Sequence, residues 1–465
     1  MTQNSMDRLN GKNLLILGLA RQGKALARFA AGAGAIVTVS DLGNVETLRP
    51  VMNDLADLKI EYILGKHPLS LLDRCDAIAL SGSVPVDAPF VLEARRRGIP
   101  LTNDSQEFFR RSRTQNMIGI TGSAGKTTTT SLVAAIGQKS NQQTWVGGNI
   151  GFPLIEKVDE IKSGDLVVQE LSSFQLEIWL HSPKISAILN VTPNHLDRHK
   201  AMAVYAAAKG NLIRYQTKDD VAVLGADDAG SVGLAPLTRG RVLWFGLDSA
   251  KMASEDGATV QNGRIVIRDQ LFEQGHGIDV MAVDDIPLKG RHNVQNVLAA
   301  SLLAYAAGIG PDVIEAAIRT FKAVPHRQEW VAAVDGVQFV NDSIATAPER
   351  ALAALAAYKE SGEPLILLAG GRDKNMVWEP WAKTVKDQVK TVILFGALSD
   401  LLKEKLAEVG CTENVVQAAD LEEAVAQAKR MARSGDVVLL SPGGTSYDAF
   451  KDFEERGEFF KKLVS

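Results

Sequence analysis

Short apolar runs of four to eight residues recur along the chain, separated by alanine-rich amphipathic stretches. The first third holds NLLILG (13–18), AIVTVSD (35–41), EYILG (61–65) and AIALSGS (77–83). The middle holds MIGITGS (117–123), DLVVQEL (165–171), ISAILNV (185–191), VAVLGADD (221–228) and VLWFG (242–246). In the last third come VQFVND (337–342), PLILLAGG (364–371), TVILFG (391–396) and DVVLLSPGG (436–444). Continuous apolar runs of this length, alternating with helical patterns, predict buried parallel strands in α/β units. Nearly all end in Gly, Asp, Asn or Ser, the residues expected where parallel strands present ligands at their carboxyl ends. The alternation breaks around 257–290, where GATVQNGRIVIRD sets an Asn-Gly turn between alternating runs and predicts an added antiparallel hairpin.

Charged or proline-bearing stretches interrupt the pattern twice, at RRRGIPLTNDSQEFFRRSRTQNM (95–117) and at FKAVPHRQEW (321–330). They place cuts near 108 and 325 and predict three α/β domains, 1–108, 109–325 and 326–465, in keeping with a length of 465 residues. A net charge of −4 argues against nucleic-acid binding, which usually shows a basic surface. Cys75 and Cys411 stand far apart without a CxxC, which fits a reducing compartment. The N-terminal MTQNSMDRLNGK lacks the apolar core of a signal peptide, and no run approaches 18 apolar residues. A cytoplasmic protein without membrane insertion is expected.

The candidate chemistry begins at MIGITGSAGKTTTTSLVAAIG, which reads as strand, glycine-rich turn, helix. Ile120 stands where the usual phosphate-loop pattern has its first glycine, but the remaining parts are present. Gly122 and Gly125 let the loop Gly122-Ser123-Ala124-Gly125 curl so that backbone N–H groups face phosphate oxygens, and the helix adds its positive end at Lys126, Thr127 and Thr128. Lys126 is expected to reach the β- and γ-phosphates of a nucleotide and Thr127 to bind magnesium. A second magnesium anchor is expected at a neighbouring strand end, where QEL offers Glu170. Asn190, Thr192, His195 and Asp197 follow the next strand, and Lys209 on an alanine-rich helix reads as an ordinary surface lysine.

A second glycine-rich turn, GLARQGKALARFAAGAGAIVTVSD (18–41), has Gly18 and Gly23 at dinucleotide-binding spacing but Ala20 in the middle. Ala20 weakens a NAD reading, because the middle glycine normally allows close approach of a pyrophosphate. The helix N-terminus could still take a diphosphate, with Asp41 accepting from a ribose or base. Otherwise the stretch is a plain strand–turn–helix.

Together, TGSAGKT, QELSSFQLE, ILNVTPNHLDRH, LKGRHNVQN, PHRQEW, NDSIATAP and LLSPGGTSYDAFKDFEERGEFF resemble, in order, the motifs of the Mur ligases. LSSFQLE and SPGGTSYDAFKDFEERG are similar to the branch that adds D-glutamate to UDP-N-acetylmuramoyl-L-alanine, whereas TGxxGKT is common to the family and to folylpolyglutamate synthetase. The resemblance implies a Rossmann-like first domain for the UDP-sugar, a P-loop ATPase-like central domain and a Rossmann-like last domain for the amino acid. It implies ATP and two Mg2+ ions as cofactors, a monomer, and UDP-N-acetylmuramoyl-L-alanine and D-glutamate as partners. The carboxylate would be activated by ATP as an acyl phosphate and then attacked by the amine.

By the same resemblance, Gly18, Ala20, Arg21, Gly23, Asp41, Ser81, Asn149 and His195 would serve the UDP substrate. Asn293, Asn296, Arg327 and Asp342 would join the phosphate loop in holding ATP. Thr127, Glu170, His195 and Lys209 would serve the metals, with Lys209 carbamylated and so converted into a carboxylate-like ligand. Thr346, Lys374, Ser446 and Phe453 would hold the amino acid. Two departures stand in that pocket: Ile344 replaces a common lysine, and Arg372-Asp373 replaces a smaller segment, with Arg372 a candidate to restore the charge. The competing readings are a sister ligase for L-alanine, L-lysine or meso-diaminopimelate, a P-loop regulatory NTPase, and a dehydrogenase built on GLARQG.

Overall fold

The computed structural model describes residues 9–193, 195–252, 254, 256–270, 277–288, 290–322, 324–359, 362–374 and 376–464. Their strands form three sheets. The first sheet contains β1 (Asn13–Leu17), β2 (Ile36–Asp41), β3 (Ile60–Leu64), β4 (Ala77–Leu80) and β5 (Leu101–Thr102), all parallel, in the order β3-β2-β1-β4-β5. Strand order reverses between β1 and β4, which opens a crevice at their carboxyl ends. The helix Arg21–Gly32 packs there through small buried residues, Gly23, Ala25, Ala27 and Ala30.

The central sheet contains β6 (Met117–Thr121), β7 (Thr144–Gly148), β8 (Leu166–Glu170), β9 (Ile185–Ile188), β10 (Val221–Gly225), β11 (Arg241–Gly246), β12 (Gly257–Gln261), β13 (Arg264–Arg268) and β14 (Ile278–Ala282). Their order is β14-β13-β12-β11-β10-β9-β6-β8-β7. Strands β6 to β12 pair in parallel, and β13 and β14 extend the sheet in antiparallel fashion. The expected hairpin is β12–β13, turned by Asn262 (φ 50°) and Gly263 (φ 74°), the left-handed pair that a two-residue turn requires.

The third sheet contains β15 (Glu329–Val334), β16 (Val337–Asn341), β17 (Leu365–Gly370), β18 (Thr391–Phe395), β19 (Val415–Gln417) and β20 (Val437–Gly443), ordered β15-β16-β20-β17-β18-β19. Only its edge strand β15 runs antiparallel. Every apolar run quoted above lies on one of these strands. The unforeseen strands are β5, β7, β14, β15 and β19. Each sits at a sheet edge, where one neighbour suffices and the buried apolar run that marks a central strand is not needed.

Residues 1–287 with 294–321 form one compact unit, and residues 288–293 with 322–465 form another. Within the first unit a single core joins Leu14, Ile16 and Ala27 to Ile155, Val158, Ile161 and Val167. The segment around 108 is the helix Asp104–Arg111, whose Phe108 belongs to that shared core. No helix among the described residues is long and apolar enough to cross a membrane.

Candidate active site

The phosphate loop connects β6 to the helix Lys126–Lys139, between the carboxyl ends of β8 and β9. Gly125 caps that helix at φ 81°, and a Cβ there would fall 2.4 Å from Asn296 Oδ1, so the position demands glycine. Asn190, just past β9, clamps the loop. Its Oδ1 accepts from Ala124 N at 2.8 Å, its Nδ2 donates to Ala124 O at 3.2 Å, and its carbonyl accepts from Ser123 N at 2.9 Å. Ser123 Oγ donates to Thr192 O at 2.9 Å and lies 3.0 Å from the Tyr205 hydroxyl. The first-turn N–H groups of the helix are thereby set in a fixed curl suited to an anion.

Around this loop the polar side chains form one connected group. Thr127 Oγ1 donates to Glu170 Oε2 at 2.9 Å, and Asn149 Nδ2 donates to Glu170 Oε1 at 2.7 Å. Glu170 is 1% exposed at the end of β8. Lys126 Nζ donates to Gly122 O at 2.8 Å and to Ser123 O at 3.2 Å. Lys209 Nζ also donates to Gly122 O, at 2.8 Å, and its ammonium lies 4.6 Å from the Tyr205 ring centroid. Lys209 is 1% exposed, which overturns the surface reading of that lysine taken from its helix alone. Burial, reinforced by the nearby Lys126 charge, holds the Lys209 amine well below the ordinary lysine range. Asn296 is buried behind the loop, with its Oδ1 3.4 Å from Thr129 Oγ1.

His195 lies on the segment after β9 at φ 53°, exposed, with its ring 5.0 Å from Phe174. The other face of this neighbourhood is built by Phe174 stacked on His199 at 5.3 Å and capped by the Arg198 guanidinium at 4.5 Å. Arg198 in turn donates to Gly82 O at 2.9 Å and Val84 O at 2.7 Å, tying this segment to the turn after β4.

The first-sheet turn sits at the reversal point. Ser81 Oγ donates to Gly18 O at 2.9 Å, and Gly18 takes φ 87°. A Cβ on Gly23 would fall 2.0 Å from Gly18 O, so only glycine lets the helix approach. Ala20 caps the helix without a side-chain bond. Asp41 accepts from Leu19 N and from Gly43 N, both at 2.7 Å, and so braces the turn itself. Arg21 points toward the central sheet, donating to Gly151 O at 2.7 Å and Asn149 O at 3.0 Å.

In the second unit, β16, β20 and β17 are neighbours, and the candidate residues follow their carboxyl ends. Asp342 accepts from Ser441 Oγ at 2.8 Å and from Gln328 N at 3.2 Å. Arg327 Nε is buried without a hydrogen-bond partner among the described residues. Thr346 is half-buried, with its N–H donating to Ile344 O at 2.8 Å. Lys374 is exposed with its ammonium 5.4 Å from the Tyr447 ring centroid, and Ser446 is buried. Phe453 opens the helix Phe453–Val464 with its ring 6.1 Å from His326. Arg372 pairs through its backbone with Thr445, whereas Arg350 brings its guanidinium to Ile344 O at 3.1 Å. Asn293 lies in the first turn of the helix Arg291–Ala306.

Two family models match the chain: the Mur ligase middle domain over residues 120–304 and the Mur ligase glutamate ligase domain over residues 326–444. The UDP-N-acetylmuramoylalanine--D-glutamate ligase of Pelotomaculum thermopropionicum is 40% identical over 97% of this chain and 97% of its own length. The chain belongs to the Mur ligase family. A ligase of the same description from Thermoanaerobacter pseudethanolicus is 38% identical over 98% of this chain and 99% of its own. Among solved structures, the UDP-N-acetylmuramate-alanine ligase MurC of Thermotoga maritima gives a TM-score of 0.54 at 18% identity, covering 97% of this chain and 99% of that one. The MurF ligase of Thermotoga maritima in complex with ADP gives 0.56 at 17% identity, covering 100% and 97%. These structures share the fold of this Mur ligase.

Several polar residues carried no distinct sequence signal. Tyr205 and Arg350 sit on helices, where nothing in the local pattern sets them apart from core and surface positions. Asp104 is buried at the start of its helix, and burial pushes its carboxyl up to about 6. From the sequence Asn190 reads only as a polar residue past a strand, and in the structure it clamps the loop.

Asp342 is also buried, and desolvation pushes its carboxyl up to about 7 against the hydrogen bonds from Ser441 and Gln328. Between about pH 4 and pH 7 the native state therefore holds this proton more tightly than the unfolded chain, so stability falls as pH rises through that window. Asp342→Asn is expected to stabilise the protein by roughly 2–4 kcal/mol at pH 8 and to change it little at pH 4. Paired melting curves of variant and wild type at the two pH values check this. A variant with a lower Tm at both would refute it.

Proposed function

We propose that this Mur ligase joins the amine of D-glutamate to the carboxyl of UDP-N-acetylmuramoyl-L-alanine at the expense of ATP, in peptidoglycan precursor synthesis, as a cytoplasmic monomer. The reading is carried by one observation: the identity of 40% to a ligase of that description runs through 97% of both chains. The chemistry follows from the residues. A carboxylate is a poor electrophile, and transfer of the γ-phosphoryl group makes it an acyl phosphate that an amine can attack. Catalysis is then positioning and charge neutralisation.

In this reading the Gly122–Gly125 loop and the following helix turn receive the phosphates, and Lys126 moves from the loop carbonyls onto the transferring group. The hard oxygen donors Thr127 and Glu170, 2.9 Å apart beside that loop, fit Mg2+, which is commonly held by one or two such ligands plus substrate phosphates. Bound there, the ion would supply positive charge to the phosphate oxygens. His195 is assigned to a second ion near the substrate carboxylate. Burial lowers the Lys209 amine well below the ordinary lysine range and so favours the uncharged form that CO2 requires for carbamate formation, and the product would be an anionic ligand.

Gly18, Ala20, Arg21, Gly23, Asp41, Ser81 and Asn149 are assigned to the UDP-sugar. Asn293, Asn296, Arg327 and Asp342 are assigned to ATP, and Thr346, Lys374, Ser446 and Phe453 to D-glutamate. The domain limits 1–108, 109–325 and 326–465 express the same division of labour. The test is phosphate release from ATP with UDP-N-acetylmuramoyl-L-alanine and D-glutamate, L-glutamate, L-alanine, L-lysine or meso-diaminopimelate offered singly, with product mass checked for the amide. Turnover with D-glutamate alone is expected. Turnover with another amino acid only would reassign the pocket, and turnover with none would defeat the ligase reading.

A further inference from the structure

We propose that Arg21 is a positioning residue for the Thr127–Glu170 pair, acting from the first-sheet turn through Asn149. The proposal rests on the reading above that this pair holds Mg2+. Arg21 is the first residue of the helix at the glycine-rich turn after β1, yet its guanidinium leaves that turn. Nη1 donates to Gly151 O at 2.7 Å and Nη2 to Asn149 O at 3.0 Å, so one planar group grips two carbonyls of the turn after β7. That turn has little stiffness of its own, with Gly148 at φ 103° and Gly151 at φ 58°.

What the turn presents is Asn149. Its N–H donates to Glu170 O at 2.9 Å, and its side-chain amide donates to Glu170 Oε1 at 2.7 Å. The other carboxylate oxygen, Oε2, accepts from Thr127 Oγ1. The carboxylate is thus oriented from one side by Asn149 and faces the phosphate-loop hydroxyl on the other. The turn is also seated closely: a Cβ on Gly148 would fall 2.5 Å from Glu170 O, and one on Gly147 would fall 2.5 Å from Phe152 O. Small displacements of the turn are therefore carried directly to Glu170. Lysine at position 21 could reach one carbonyl but cannot bridge two with fixed geometry. Arg21 is exposed, so its truncation leaves no cavity.

The same geometry places a residue of the nucleotide-substrate turn in contact with the support of the metal pair. Removing the grip is expected to loosen Glu170 and leave the phosphate loop intact, because that loop is clamped separately by Asn190. Partners that orient a ligating group commonly change metal affinity by roughly 10- to 100-fold. The arginine acts one step further away, so a smaller effect is expected.

The test is calorimetric titration of full-length wild type, Arg21→Ala and Arg21→Lys with ADP, with and without MgCl2, and separately with UDP. The gain in ADP affinity conferred by Mg2+ is expected to fall roughly fivefold in Arg21→Ala and less in Arg21→Lys, with ADP affinity in EDTA and Tm unchanged. An undiminished Mg2+ gain in Arg21→Ala, with only UDP binding weakened, would overturn the proposal and leave Arg21 a plain substrate contact. A wild type whose ADP affinity ignores Mg2+ would instead bring down the metal reading of Thr127 and Glu170.

Discussion

Lys126→Ala is expected to lower kcat by about a thousandfold while leaving the fold intact. The group removed is the one side-chain cation on the phosphate loop, and preorganised charge at a transferring phosphoryl group is typically worth about 10²–10³ in rate. Its loss from the resting structure is expected to be mild, since Nζ donates to the Gly122 and Ser123 carbonyls, hydrogen bonds of about 1 kcal/mol each. Lys126→Arg is expected to fail as well, because a planar fork does not fit where a compact ammonium rests on a curled backbone. Steady-state kinetics with a circular dichroism melt for each variant decide the matter. A kcat within tenfold of wild type in Lys126→Ala would place the phosphoryl chemistry elsewhere.

Lys209→Met is expected to lower kcat by roughly 10²–10³, for a different reason. The side chain is nearly isosteric but can neither donate to Gly122 O nor capture CO2. The sign of its effect on stability separates this from simple misfolding. Because the Lys209 amine is held below the ordinary lysine range in the native state, the unfolded chain binds more protons below about pH 10, and charging the unfolded chain opposes folding there. Lys209→Met should therefore be more stable than wild type near pH 7, with the gain shrinking as pH approaches 10. A carbamate resonance after 13C-bicarbonate labelling is expected in wild type and not in the variant. A variant that is both active and less stable would remove Lys209 from the site.

The phosphate loop was legible because all of its parts lie within eight residues, Gly122 to Thr129, and the strand–turn–helix context is local. Glu170 was legible from its place at a strand end, where α/β sheets present their ligands. Lys209 was not: on an alanine-rich helix it has the pattern of an exposed lysine, and its burial follows only from the packing of that helix against β9 and β6. Asp41 was read as a ligand contact, and its two backbone partners, Leu19 and Gly43, show why an acid suits the turn even before a ligand arrives. The edge strands β5, β7, β14, β15 and β19 carry little sequence signal because one-sided pairing relaxes the demand for continuous apolar residues.

The hydrophobic pattern alone determined the α/β class, the parallel strands and the Asn-Gly hairpin, because side-chain periodicity and turn conformation are properties of neighbouring residues. It also located both glycine-rich turns. Strand order lay beyond it, and so did every partnership across that order: Asn190 on the phosphate loop, Arg21 on the 149–151 turn, Lys209 sharing Gly122 O with Lys126. Such contacts join residues separated by tens to more than a hundred positions, and they form only when the sheets have assembled and desolvation has set which charges survive.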